Sequence, residues 1–421
     1  MRRLVHFLLS GGVLLLLCTV GFFFSLLHNN KRASEHKIVA LPDSAAFEQN
    51  VDSLETIIRA YMERTGVHGL SLAISYNDQL VYAKGFGFAD IQTQERVTPS
   101  HLFRIASVSK LITAWGIMRL VEEGEISTDD CVFGQSGILK EFRSSYRDAY
   151  DISVEHLLTH CAGWNRRSYG DPMFKTRQIG NATGKLRPSV DDIINYVLAR
   201  RMPYAPGEHY DYSNFGYAVL GRIIEEVSDM EYEEYIKEVL LDRTNIEGMY
   251  VGRNYVEEKF EKEVTYYDER RGSGRIAFNG SGKMVPAPYG GSDITTLAAA
   301  GGWVTSPVNL LKLLAHYNTN PYVRDFISKP SAYKMAQRYG PGKIPFGWRG
   351  SDGKERWWRT GTLSGVSALM VRENPKVSWA VVINTSSENS SYFHSDFSLI
   401  MEEFLQKNQS WPDHDLFAHY F

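Results

Sequence analysis

Three short clusters in this chain gather a hydroxyl nucleophile, an amine, a phenol and a guanidinium: Ser107-Val108-Ser109-Lys110, Tyr212-Ser213-Asn214 and Arg359-Thr360-Gly361. A serine hydroxyl is a weak nucleophile at neutral pH and needs a base within hydrogen-bond reach. Residues three apart on a helix share a face, so Lys110 can reach Ser107. A lysine whose pKa is lowered by burial or by neighbouring cations can accept or relay the serine proton. Tyr212 is the second proton carrier. A phenol has an ordinary pKa of about 10, so it acts as a base only where cations such as Lys110 and Arg359 stabilise the phenolate. Together these groups suit acyl transfer through a Ser107 acyl-enzyme on an ester, an amide or a peptide.

Each cluster alone says little. A Ser-x-x-Lys match arises by chance about once or twice in a chain of this length. Ser107 could simply cap a helix, as could Ser213 or Asn214, and a lone Arg-Thr-Gly could be an exposed strand end. Context changes this. Phe103 to Thr113 leads into Trp115, Ile117, Met118, Leu120 and Val121 at helical spacing, with Gly124 as a stop, so the helix is expected to begin at the serine. The free N–H groups and positive dipole end of such a start favour an oxyanion beside it.

With these flanks the chain resembles the serine β-lactamase and penicillin-binding-protein superfamily, especially its class C-like branch of esterases and peptidases. Leu157-Leu158-Thr159-His160-Cys161-Ala162-Gly163 is similar to a loop of that family. So are Pro206 to Tyr217 with Leu220 to Ile224 around the second cluster, and Ala300-Gly301-Gly302-Trp303 before a helix. The resemblance runs from about residue 48 to about 407. It implies that Asn214 holds Lys110 and a substrate carbonyl, and that Arg359, Thr360, Gly361 and Thr362 form the substrate-binding strand. Gly361 would let substrate backbone lie close, and the N–H groups of Thr362 and Ser107 would form an oxyanion hole. The family usually has Lys or His where Arg359 stands. An arginine keeps the charge, cannot act as acid or base, and suits a carboxylate with its planar fork. Carboxylesterase or peptidase activity is therefore expected before β-lactam turnover. The contrasting expectation is a non-catalytic scaffold or filament-forming protein, which would have no physical need to keep Ser107, Lys110, Tyr212 and Asn214 together.

The elements that must position these residues follow from periodicity. Phe47 to Thr65 reads as a helix; Leu70 to Tyr76 and Leu80 to Phe86 alternate around Asn77-Asp78-Gln79 as a hairpin. Val366 to Val371 and Val377 to Asn384 pair around Asn374-Pro375, and Phe397 to Leu405 is a closing helix. The expected fold is mixed α/β, β-lactamase/transpeptidase-like: an antiparallel sheet built from both chain ends, flanked by helices, with an inserted, mostly helical lobe. Gly272 to Gly302 reads as long loops. The domain is expected over residues 46–410, after a basic start (1–3), an apolar segment (4–27) and a linker (28–45), with 411–421 as a tail.

The 421 residues are 43% hydrophobic and 23% charged, ordinary globular usage. A net charge of −3 gives no electrostatic reason to bind nucleic acid, so a small-molecule or peptide substrate is the expected partner. Residues 4–27 carry no Asp, Glu, Lys or Arg and are long enough for a signal-anchor that ties the domain to a membrane, with a cleaved signal peptide and secretion as the alternative. Sequons at Asn181, Asn279, Asn384, Asn389 and Asn408 would make a glycoprotein in a glycosylating host. Of the three cysteines, Cys18 lies in the apolar run, and Cys131 and Cys161 could pair or remain free thiols. No cofactor or metal is implied: His156 and His160 have the spacing of a helical zinc pair, but Leu157 stands where that motif needs glutamate. His160 is read as structural, and Trp348, Trp357 and Trp358 as core that could also wall a pocket.

Overall fold

Asn77 and Asp78 both adopt left-handed backbone, with φ of 50° and 62°, and so form the tight turn that folds the first strands together. In this computed structural model, which describes residues 43–317 and 325–420, the main elements in chain order are α1 (Asp43–Thr65), β1 (Gly69–Tyr76), β2 (Gln79–Asp90), α2 (Ser109–Glu123), α3 (Asn214–Ser228) and α4 (Pro307–Ala315). They are followed by β3 (Trp357–Leu363), β4 (Val366–Arg372), β5 (Val377–Ile383) and α5 (Phe393–Lys407).

One seven-stranded sheet runs in the order Gly350–Ser351, β3, β4, β5, β1, β2, Glu95–Arg96. Its pairs are antiparallel, and β1 meets β5 with Ala73 opposite Ala380, so strands from the two ends of the chain close one sheet as the periodicity predicts. Side chains alternate across the pleat. Leu70, Leu72 and Ile74 of β1 join Val381 and Ile383 under α1 and α5, where Leu54, Ile58, Phe397 and Met401 cover them. The opposite face carries small residues, Ala73, Ala368 and Ala380, that admit the helices of the larger core around Trp115, Leu220 and Leu311. Covered on both faces, β4 and β5 are buried throughout, which is why they read as nearly unbroken apolar runs.

The lobe between the sheet strands contains Val154–Leu158, Thr176–Thr183 and Val190–Leu198 as short helices. The loop region holds one small ribbon, Arg275 opposite Val285, and is pinned rather than loose. Asp293, its side chain fully buried, takes Arg187 of the lobe at 2.9 Å and Asn254 Nδ2 at 3.2 Å. Residues beyond 410 pack back onto the β1–β2 hairpin. Trp411 stacks on Tyr76 at 4.8 Å, and the Leu416 N–H donates to the Leu80 carbonyl at 2.8 Å. Cys131 is exposed and Cys161 buried, both as free thiols. The apolar run 4–27 lies outside the described residues; among those described, no helix is long and apolar enough to cross a membrane.

Candidate active site

The chain enters the site through Ala106, whose φ of 47° is uncommon for a residue with a Cβ. This turns the Phe103–Arg104 strand into a 3-10 turn, Ala106–Val108, so the α-helix proper begins at Ser109, two residues later than the spacing predicts. Ser109 locks the turn, donating from Oγ to the Ala106 carbonyl at 2.6 Å and accepting from the Trp303 N–H at 3.1 Å. Ser107 makes no capping bond. Its hydroxyl instead lies 2.9 Å from the Tyr212 hydroxyl and 3.3 Å from Lys110 Nζ.

Lys110 is completely buried, and its ammonium donates to Asn214 Oδ1 at 2.6 Å and to the Ala300 carbonyl as well as to Ser107. Burial lowers its pKa to about 8; Arg359 pushes the same way, against the pull of Tyr212 and Asp171. For Tyr212, burial favours the neutral phenol, but Lys110 and Arg359 outweigh it, with the bond to Ser107 helping, and the pKa falls to about 7. Two cations thus hold one phenolate against the serine. The pair titrates as a unit.

Arg359, 1% exposed, donates from Nε to the Ser107 carbonyl at 2.7 Å and from Nη2 to the Tyr212 hydroxyl at 3.0 Å. Its fork is therefore spent on the protein, not left open for a substrate carboxylate. Asn214 is the first residue of α3, where Ser213 caps the helix by accepting the Gly216 N–H at 2.9 Å, so capping and site-building occur in the same tripeptide. The Asn214 amide is oriented by a residue the sequence reading did not find. Asp171 Oδ2 accepts Asn214 Nδ2 at 2.8 Å and the Asn214 N–H at 3.2 Å, which turns Oδ1 toward Lys110. The only sequence signal was an Asp-Pro turn, which is too common to single out.

Gly361 lies against the nucleophile's backbone. A Cβ there would sit 2.3 Å from the Ile105 carbonyl oxygen and 3.0 Å from the Ser107 nitrogen. Both neighbours are backbone, so neither can swing away. Gly361→Ala is expected to cost about 1–3 kcal/mol of stability and, by displacing β3 from Ser107, about 100-fold in acylation rate. Thermal denaturation and the rate on an activated ester check both. Thr360 is half-buried and Thr362 exposed on the same strand.

His160 is buried with φ of 61°, accepts the Ser213 N–H on Nδ1 at 3.2 Å, and packs against Tyr212 at a tilt of 41° with ring centroids 4.5 Å apart. Burial, with Arg359 and Lys110 adding to it, holds its pKa well below the ordinary value, so it is a neutral wall for the phenol. It makes no hydrogen bond to Ser107. His156 closes a capping box with Ser153. Trp348 and Trp357 pack around the buried Tyr317, while Trp358 faces the other core; all three are packing residues.

The site and fold have relatives. The sequence model of the beta-lactamase family matches residues 54–399. Protein flp of Staphylococcus aureus (strain MW2) is 23% identical over 80% of this chain and 63% of its own length, so the chain spans just under two thirds of that curated relative. Among solved structures, the octameric penicillin-binding protein homologue from Pyrococcus abyssi is 28% identical with a TM-score of 0.63, covering 84% of this chain and 77% of its own. The D-amino acid amidase of Ochrobactrum anthropi SV3 shares the fold at 19% identity, with a TM-score of 0.62 over 87% of this chain and 98% of its own. Matched over most of its length and folded in the same way, the chain belongs to the beta-lactamase family.

Proposed function

We propose that the chain is a serine hydrolase that forms an acyl-enzyme on Ser107 from an ester, amide or peptide substrate. The observation that carries this reading is the contact of Ser107 Oγ with the Tyr212 hydroxyl at 2.9 Å, while Lys110 and Arg359 together hold that phenol near a pKa of 7. A nucleophile beside a base that is itself oriented by further groups is the arrangement covalent catalysis needs. The fold shared with an amidase supports the same class of chemistry.

In this reading the Tyr212 phenolate removes the Ser107 proton as Oγ bonds to the substrate carbonyl carbon. The carbonyl oxygen takes the negative charge beside the N–H groups of Ser107 and Thr362. Collapse breaks the bond to the leaving alcohol or amine, which takes the proton back from Tyr212. Water then attacks the acyl-enzyme, gives one proton to Tyr212 and releases the acid, and Ser107 recovers its proton. Lys110 remains an ammonium throughout, fixed by Asn214 and the Ala300 carbonyl, and Arg359 positions the phenol. For location, the apolar run 4–27 supports a domain tethered on, or released to, the non-cytoplasmic side of a membrane.

Intact-mass analysis after exposure to an activated phosphonate ester and, separately, to a penicillin tests the nucleophile. One adduct, absent in Ser107→Ala, is the expected result with the phosphonate. No adduct from either reagent in a folded sample would sink the reading.

A further inference from the structure

A cavity of about 230 Å³ opens between the helical lobe and Tyr212, with Trp164 and Phe215 in edge contact at 4.6 Å on its apolar wall. An apolar space of about 150 Å³ already accommodates a benzene ring. The rim of this cavity carries Arg166, Lys175, Arg200 and Arg201. Among the described residues, none of the four pairs with a carboxylate. Lys175 Nζ and Arg200 Nη1 donate instead to the backbone carbonyls of Tyr169 and Tyr196, which position the cations without neutralising them. The two wall carboxylates have other partners: Asp171 holds Asn214, and Asp211 accepts the Arg166 backbone N–H at 2.7 Å.

In a chain of net charge −3, this local excess of cation is not a consequence of composition. Nor can the strand arginine serve an incoming anion, since Arg359 is buried on Ser107 and Tyr212. A cavity with an apolar wall, a cationic rim and, in its lining, Tyr212, whose hydroxyl lies 2.9 Å from Ser107 Oγ, selects for a ligand that is apolar near the reacting bond and anionic at its far end.

Resting on the Ser107 reading, we propose that this cavity binds the part of the substrate remote from the scissile bond, and that this part is an aromatic or short alkyl spacer ending in a carboxylate. Substrates of this class are half-esters or half-amides of diacids, or esters of hydroxy acids.

Three esters test this: phenyl phenylacetate, its analogue with a carboxymethyl group para on the acyl ring, and the phenylacetate ester of 4-hydroxyphenylacetic acid. One of the two acids should exceed the neutral ester in kcat/KM by about tenfold or more, as expected for two or more exposed cations acting on one carboxylate. That preference should fall towards parity in Arg200→Gln/Arg201→Gln and as salt rises from about 0.01 M to 1 M, where the screening length drops from about 30 Å to 3 Å. A second readout needs no turnover. Quenching of Trp164 fluorescence by 1,4-phenylenediacetate should be about tenfold tighter than by its dimethyl ester, and Trp164→Phe should remove the signal. Hydrolysis of the neutral ester with neither acid preferred, and no preference for the diacid in binding, would overturn the pocket while keeping Ser107. Diacid binding without hydrolysis of any ester would keep the pocket and overturn the Ser107 reading.

Discussion

Tyr212→Phe should slow acylation of Ser107 by about 10²–10⁴-fold, the usual contribution of a positioned proton carrier, while leaving the fold in place. Phenylalanine preserves the ring that His160 covers at 4.5 Å, and Arg359 retains its bond to the Ser107 carbonyl at 2.7 Å. What disappears is, among the described residues, the only group within 3 Å of Ser107 Oγ that the local charges make basic at neutral pH. The pH profile is the diagnostic readout. In the wild type, acylation should rise as the pH passes about 7, where Tyr212 loses its proton, and fall again above about 8, where Lys110 loses the charge that holds the phenolate. These limbs belong to the coupled pair, and the lower one should vanish in Tyr212→Phe. Single-turnover rates from pH 5 to 10 decide the matter. A variant within threefold of wild type, with both limbs intact, would remove Tyr212 from the proton path.

The same shift has a consequence for stability whose sign is fixed by linkage. Tyr212 is held at about 7 in the fold against 10.0 for the free side chain, so between these values the unfolded chain binds the additional proton. Stability therefore rises with pH over this window. The phenolate's contribution is complete above about 10 and is lost as the pH falls through 7. Wild type should accordingly gain on Tyr212→Phe as denaturation is moved from pH 7 to 10, a difference that cancels the titrating groups not coupled to Tyr212.

The two ends of the site were legible to different degrees because they are built differently. Ser107 and Lys110 are three residues apart on one turn, and Asn214 begins a helix with a clear cap, so local spacing places them. The sheet was legible for a similar reason: β4 and β5 are buried throughout and β1 in all but its last residue, which imposes the apolar runs of β4 and β5 and the alternation of large and small residues in β1. Asp171 and the Ala300 carbonyl reach Asn214 and Lys110 from distant segments, and nothing local in Gly170-Asp171-Pro172 distinguishes a clamp from an ordinary turn. Arg359 was recognisable as a cation of the site but not by its aim. The sequence pattern offers its fork to a substrate carboxylate, whereas the register of β3 beside Ala106 directs it onto Ser107 and Tyr212. The cationic rim was invisible in a chain of net charge −3, since Arg166, Lys175, Arg200 and Arg201 converge only when the lobe folds.

Lys110→Met separates the proton carrier, Tyr212, from the cation that holds it as a phenolate. The thioether fills the space of the butyl stem but leaves Asn214 Oδ1 and the Ala300 carbonyl without their donor, at about 1–3 kcal/mol for each buried acceptor. Against this, the site no longer buries a charge that it disfavours, as the drop from 10.5 to about 8 records; that difference is worth about 3 kcal/mol below pH 8. The two effects are of similar size and opposite sign, so stability should change by no more than about 3 kcal/mol while activity falls by about 10³-fold or more. The loss has a specific cause. Burial pushes the Tyr212 phenol up, and without Lys110 only Arg359 and the bond to Ser107 are left to pull it down. Unlike Tyr212→Phe, this variant should therefore retain a lower pH limb, moved upward by more than one unit, and should recover part of its activity above pH 9. A Lys110→Met protein whose lower limb stays near 7 would mean that Arg359 and the Ser107 bond set the phenol's pKa without Lys110, and that Lys110 acts by holding Asn214 rather than by charge.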